Sequence, residues 1–194
     1  MRAVKPEMYE YQLEAEYVHE FMKKGARNCA YPSIVGGGKN ACILHYNDNK
    51  DLLMDGDLVL VDAGCELNGY ASDITRTFPI NGKFSRAQEA VYEIVLEAQK
   101  TAIKNSVKGS NSTNLHNIAL RILVEGLKDL GLLRGDTDGI IENGSYKHLY
   151  MHRTGHWLGL DVHDVGAYRM GEYDVPLQNG MILTVEPGIY ISDR

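Results

Sequence analysis

The 194-residue chain has only three cysteines, Cys29, Cys42 and Cys65, and none of them forms a CxxC pair. So sparse and odd a count offers neither a disulfide framework nor a CxxC-type metal site, and it fits a reducing compartment, the cytoplasm. Each thiol is expected to behave as a small buried apolar residue. No apolar run approaches the ~20 residues of a membrane span, and Met1 to Glu20 lacks the apolar core of a secretory signal. Positive charge is in deficit: 20 Lys and Arg against 26 Asp and Glu leave a net −6, the wrong sign for a nucleic-acid partner, which needs a basic face. Linkers and low-complexity tracts are missing too. The triple glycine Gly36-Gly37-Gly38 is no phosphate loop, because Asn40 rather than Ser or Thr follows Lys39 and Ser33 occupies the first glycine's place. It reads as a flexible turn or a strand bend.

What is present is an ordinary soluble composition, 44% hydrophobic and 24% charged, in a chain long enough for one domain with a real core. Periodicity predicts an amphipathic helix over residues 9–24, with Leu13, Tyr17, Phe21 and Met22 on its apolar stripe and Gly25 as its stop. Residues 58–62 and 70–79 read as strands joined by Asn68-Gly69, a strong hairpin signal. A second helix starts at Ser85, where Ser85 and Gln88 match a capping box, and buries Val91, Ile94, Val95 and Ala98. A third covers about 113–130 through Leu115, Ile118, Ile122, Leu123 and Leu127, ending at Gly131. Residues 132–147 read as loop, and 156–165 and 181–191 as strands. The expected class is α+β in a single domain spanning 1–194. Helices and antiparallel strands come in two successive batches, which hints at two halves.

Asp62 and Asp73 are the most informative pair. With Asn68-Gly69 as the turn, opposed residues have numbers summing to 137, so Asp62 faces Thr75 and Asp73 faces Gly64. Both acids then project from one face as diagonal neighbours, roughly 5–8 Å apart at the backbone. Two like charges so placed are unfavourable unless paired, and divalent cations would resolve the conflict. On these residues alone the alternative stays open that one aspartate caps a turn and the other is solvated. His152, His156 and His163 fall within twelve residues; neutral imidazole ligates borderline divalent metals and carries protons near neutral pH. The spacing is not HExxH, and Gly155 and Gly159 favour strand or loop over helix. Glu186 ends an apolar run and is followed by the sharp Pro187-Gly188 turn, so it is either a fixed, paired acid or an exposed strand end.

Taken together, Val61-Asp62-Ala63-Gly64, Ser72-Asp73-Ile74-Thr75-Arg76-Thr77, Gly155-His156 and Val185-Glu186-Pro187-Gly188 resemble the metallopeptidase family with the pita-bread fold. Within it the chain is most similar to the proline-specific, or Xaa-Pro, aminopeptidases, the aminopeptidase P branch. The similarity runs from Glu10-Tyr11 and Cys42-Ile43-Leu44-His45-Tyr46 to Ile189-Tyr190, and the string from His156 to Gly166 is specific to that branch.

The resemblance implies two divalent metal ions, foremost Mn²⁺. Asp62 would chelate one, Asp73 would bridge both, His156 would bind the second, and Glu186 would ligate that metal and act as general base. His45, His152 and His163 would line the substrate pocket, with His163 steadying the reacting carbonyl or the leaving nitrogen and His152 near the proline ring. A hydroxide shared by the metals would release the first residue from peptides with proline in second position. The resemblance also implies a homo-oligomeric parent with an N-terminal domain to which nothing here corresponds. The family's fifth ligand, a bridging glutamate downstream of the Tyr190 region, has no match: Glu142 and Glu172 stand in other contexts. The chain is therefore expected to be a partial catalytic domain with weak or no activity alone. An Xaa-Pro dipeptidase of the same fold and a non-catalytic peptide-binding module remain the alternatives.

Overall fold

The computed structural model describes residues 3–192. They pack as two compact units. One runs through Ser85 and takes in Leu158–Asp164 and the residues from Ile191; the other comprises Arg86–Trp157 and Val165–Tyr190.

The first unit opens with helix α1 (Glu10–Lys23), whose start is fixed by the Gln12 side-chain oxygen accepting the Tyr9 N–H at 2.9 Å. Leu13 is buried, and Tyr17 and Phe21 pack on the same core. Met22, expected on that stripe, is 56% exposed, because one residue step turns it about 100° away from Phe21. Six strands follow: β1 (Asn28–Cys29), β2 (Ile34–Gly37), β3 (Leu58–Ala63), β4 (Cys65–Leu67), β5 (Tyr70–Ala71) and β6 (Ile74–Pro79). They form two antiparallel sheets, ordered β2-β3-β6 and β1-β4-β5. The first two glycines of the triplet end β2, and Gly38, at φ +53°, turns the chain into a short 3₁₀ segment, Gly38–Cys42.

Along β3 the residues alternate: Val59, Val61 and Ala63 enter the core with Val35, Leu53, Phe78 and Ile80, while Leu58, Leu60 and Asp62 take the opposite face. The turn has Asn68 and Gly69 both at positive φ, 54° and 84°, the type I′ geometry that matches strand twist. Register partners Leu67–Tyr70, Glu66–Ala71, Ala63–Ile74 and Asp62–Thr75 all keep the sum 137, so no bulge intervenes. The ladder pinches between its two halves. There Ser72 Oγ accepts the Cys65 N–H at 2.9 Å, and the Ser72 carbonyl comes so close that a Cβ on Gly64 would lie 1.6 Å from it. Only glycine fits at that point.

The second unit is built on α2 (Arg86–Asn105) and α3 (Ser112–Asp129). They approach closely at Gly126, where a Cβ would meet Ile94 at 2.6 Å. Asn111 caps α3 by accepting the Asn114 N–H at 2.7 Å. Its innermost residues include Leu115, Ala119, Leu120, Leu123, Val124 and Leu127, whereas Ile118 and Ile122 are half-buried. The expected loop 132–147 instead contains α4 (Thr137–Asn143) and a 3₁₀ turn, Ser145–His148. The Asp136 side chain caps α4 by accepting the Asp138 and Gly139 N–H groups, and Gly144 ends it in the left-handed region. The segments 156–165 and 181–191 are not regular strands. They share one isolated bridge, Trp157 to Leu183, with flanking bonds from the Thr184 N–H to the His156 carbonyl (2.9 Å) and from the Glu186 N–H to the Thr154 carbonyl (2.7 Å). The only strands in the unit's described residues are β7 (Arg169–Met170) and β8 (Tyr173–Asp174), a short hairpin.

Candidate metal centre

In the first unit, β3 carries Asp62 on the face away from the core, and the break between β5 and β6 carries Asp73. Both acids converge on Tyr31, whose hydroxyl lies 2.5 Å from Asp62 Oδ1 and 3.0 Å from Asp73 Oδ1. The two carboxylate oxygens are thus at most 5.5 Å apart, the sum of those distances. Burial, then the hydrogen bond and charge of Asp62, then the charge of Asp73, push the Tyr31 phenol far above its ordinary pKa, so it stays a donor. One phenolic proton serves one carboxylate at a time. Two like charges gathered on one phenol make a place where a cation would be favourable.

The second unit holds His156 and Glu186 together. His156 Nδ1 lies 2.9 Å from the Trp157 carbonyl, which can only accept, so Nδ1 carries a proton and Nε2 is the nitrogen left for a ligand or a second proton. That Nε2 lies 3.1 Å from Glu186 Oε1. The contact is made favourable by a cation between them or by a second proton on the ring, which makes it an ion pair. Thr184 fixes both partners: its hydroxyl accepts the His156 N–H at 2.9 Å and donates to Glu186 Oε1 at 2.7 Å. Gly155 lets the segments close, since a Cβ there would lie 1.9 Å from the Thr184 carbonyl. A carboxylate beside an imidazole that has one nitrogen directed at a carbonyl is a donor pair that fits a divalent metal.

The remaining predicted residues fall in three places. His152, in the second unit, directs Nδ1 at the Arg153 carbonyl (2.8 Å) and accepts the Tyr190 hydroxyl at Nε2 (2.8 Å). His45 is exposed on the 38–51 loop of the first unit, in left-handed backbone at φ 55°. His163 is exposed on the 158–164 segment, which is tied to β5 by the Ala71 N–H donating to the Gly159 carbonyl at 2.8 Å.

Sequence reasoning missed Tyr31, Thr184 and Tyr190 as members of the site. Tyr31 reaches Asp62 and Asp73 across 31 and 42 residues, and nothing local in Tyr31-Pro32-Ser33 announces that. Thr184 was detectable, since Thr two residues before a strand-end acid points to the same side in extended chain. A buried trio behind the site was missed as well. His116 Nδ1 lies 3.0 Å from Thr154 Oγ1, which is 2.7 Å from the Tyr150 hydroxyl. Burial, helped by Arg153 and His152, lowers the His116 pKa to about 4, so the ring is neutral.

A family model described as metallopeptidase family M24 matches residues 1–194. An Xaa-Pro aminopeptidase of Haemophilus influenzae is 54% identical over 193 residues, covering 100% of this chain and 45% of that protein. The solved structure of Pseudomonas aeruginosa aminopeptidase PepP superimposes with a TM-score of 0.96 at 54% identity, over 98% of this chain and 43% of that one. A zinc-substituted Escherichia coli aminopeptidase P in complex with product gives a TM-score of 0.95 at 50% identity, covering 98% and 43%. The chain spans less than half the length of these relatives. Its α+β architecture is part of the pita-bread fold, as the resemblance implied. By a match over its whole length, the chain belongs to metallopeptidase family M24.

Proposed function

We propose that the protein carrying this sequence is a dinuclear Xaa-Pro aminopeptidase, and that this chain is its catalytic part. The reading rests chiefly on one observation: His156, its Nδ1 held at 2.9 Å from the Trp157 carbonyl, turns Nε2 on Glu186 Oε1 at 3.1 Å, an arrangement suited to a shared cation. The 54% identity to a named Xaa-Pro aminopeptidase supplies the reaction class. Asp62, Asp73, His156 and Glu186 are the ligands in this proposal, and oxygen donors with one imidazole and no thiolate suit Mn²⁺.

The ions would supply an acidified water and polarise the scissile carbonyl. The chain's own residues do the rest. Glu186, oriented by Thr184, takes the proton and delivers it to the proline nitrogen. That transfer matters because the bond before proline is a tertiary amide, with no N–H and a poor leaving nitrogen until it is protonated. His163 steadies the reacting carbonyl or that nitrogen, His152 lies at the proline ring with its Nε2 held by Tyr190, and His45 lines the pocket. The reading includes a homo-oligomer in the cytoplasm. The described residues contain no helix long and apolar enough to cross a membrane, and the low cysteine count suits a reducing compartment.

The test uses the full-length protein carrying this sequence. Metal-loaded enzyme is expected to release the first residue from Xaa-Pro-Xaa peptides and to leave Xaa-Ala-Xaa peptides largely intact. Asp73→Ala is expected to halve or abolish bound manganese, measured by elemental analysis after gel filtration. Unchanged metal content removes the bridging role, and exclusive cleavage of Xaa-Pro dipeptides moves the assignment to a dipeptidase.

A further inference from the structure

Two cysteines that the metal centre does not use face each other across a sheet. Cys29 of β1 and Cys65 of β4 are register partners in an antiparallel pair. The Ala30 N–H donates to the Gly64 carbonyl at 2.9 Å, so Ala30 and Gly64 form the hydrogen-bonded pair and Cys29–Cys65, one step along, the non-hydrogen-bonded one. In such pairs the Cα atoms approach to about 4.5 Å and both side chains leave the same face. A disulfide spans Cα separations of about 4.4–6.8 Å. Neither cysteine is disulfide-bonded in the structure and both are only partly buried, within reach of a small oxidant.

We propose that Cys29 and Cys65 form a reversible cross-strand disulfide under oxidising conditions. The oxidant is a low-molecular-weight disulfide. One of the two cysteines, as the thiolate, attacks one of its sulfurs, forming a mixed disulfide and releasing one thiolate. The other cysteine then gives up its proton and displaces the second thiolate. Two protein thiols are oxidised, one disulfide is reduced to two thiols, and the protons from Cys29 and Cys65 end on those thiols. The bond links the strand leading into Tyr31, two residues after Cys29, to the strand leaving Asp62, three residues before Cys65. It therefore clamps the segments that carry the phenol and the carboxylate it holds. In a reducing cytoplasm the bridge is a transient response to oxidation rather than a resting feature. The inference stands on the sheet register and the partial burial of the two thiols and does not depend on the metal assignment.

The experiment treats the full-length protein carrying this sequence with excess oxidised glutathione, alkylates it under denaturing conditions, and maps the peptides by mass spectrometry. The expected product is a linked Cys29–Cys65 peptide pair, two hydrogen atoms lighter than the reduced pair and released by reductant, with Cys42 alkylated as the internal reference. Exchange at the Ala30 N–H is expected to slow on oxidation and recover on reduction in the wild type, and to be unaffected by oxidant in Cys29→Ser. Separate glutathione adducts on Cys29 and Cys65, alkylation of both, or links made through Cys42 would each overturn the proposal. The wild-type map alone decides it if a variant fails to fold.

Discussion

Glu10 is a fully buried carboxylate in the first turn of α1. It accepts four hydrogen bonds: at Oε1 from the Gly37 N–H (2.8 Å) and Asn40 Nδ2 (3.0 Å), and at Oε2 from the Tyr46 hydroxyl (2.7 Å) and the Asp51 N–H (2.9 Å). Those donors bracket the loop that carries His45, and the positive end of α1 adds to the stabilisation of the charge. In Glu10→Gln the size is kept but one end becomes a donor. Turned towards Tyr46, the new amide finds an acceptor in the rotated hydroxyl and leaves the Asp51 N–H facing another N–H. Turned the other way it opposes both the Gly37 N–H and the Asn40 amide, which is worse. The better orientation takes the acceptor from the part-buried Asp51 N–H and from the Tyr46 hydroxyl proton, at a cost of about 1–3 kcal/mol, and the remaining bonds lose their charge assistance, falling to roughly half strength. A local destabilisation of roughly 3 kcal/mol is expected. At 1.4 kcal/mol per decade this corresponds to roughly 100-fold faster amide exchange at Gly37 and Asp51, with α3 amides unaffected. Because no cavity forms, packing loss does not confuse the result. Exchange unchanged within about threefold would show that the carboxylate charge does not hold this loop.

Thr184→Val removes the hydroxyl that orients Glu186 and His156; kcat of the full-length enzyme on an Xaa-Pro peptide is expected to fall about 10–100-fold, and an unchanged kcat would count against the relay. His116 is neutral in the folded chain, at about 4 against 6.5 unfolded. With the folded value depressed, the unfolded state binds more protons between them. Stability is therefore whole above pH 6.5 and is lost as pH falls towards 4, by at most ~3 kcal/mol. Urea midpoints at pH 7 and 4.5 check this, and His116→Asn should flatten the dependence; an equally steep variant refutes it. Gly64→Ala places a methyl into the Ser72 carbonyl and should unpair β4 and β5, seen as lost amide protection at Cys65 and Ser72; preserved protection there would contradict the pinch.

What the sequence made legible follows from how far each contact reaches. The register of the Asn68-Gly69 hairpin is local arithmetic, since turn type fixes which residues oppose and period two fixes which face they take. That is why Asp62 and Asp73 came out on one side. Helix α4 was hidden because Gly135, Gly139 and Gly144 read as loop, and the capping power of Asp136 outweighs them. The segments 156–165 and 181–191 carry strand-like composition, yet Gly155, Gly159 and Pro187-Gly188 restrict their pairing to a few bonds around one bridge.

The least legible residues are those that force an interpretation on the acids. Sequence motifs supplied Asp62, Asp73, His156 and Glu186, but a carboxylate on a strand is compatible with plain solvation. Tyr31 and the Trp157 carbonyl change that. The phenol gathers two carboxylates around one proton, and the carbonyl fixes the ring of His156 so that Nε2 faces Glu186. In each unit a non-ligating group sets the candidate ligands where a cation would fit. With the His156 ring set by the Trp157 carbonyl, Nε2 alone is left for Glu186 Oε1, and a metal or a second proton has to stand between them.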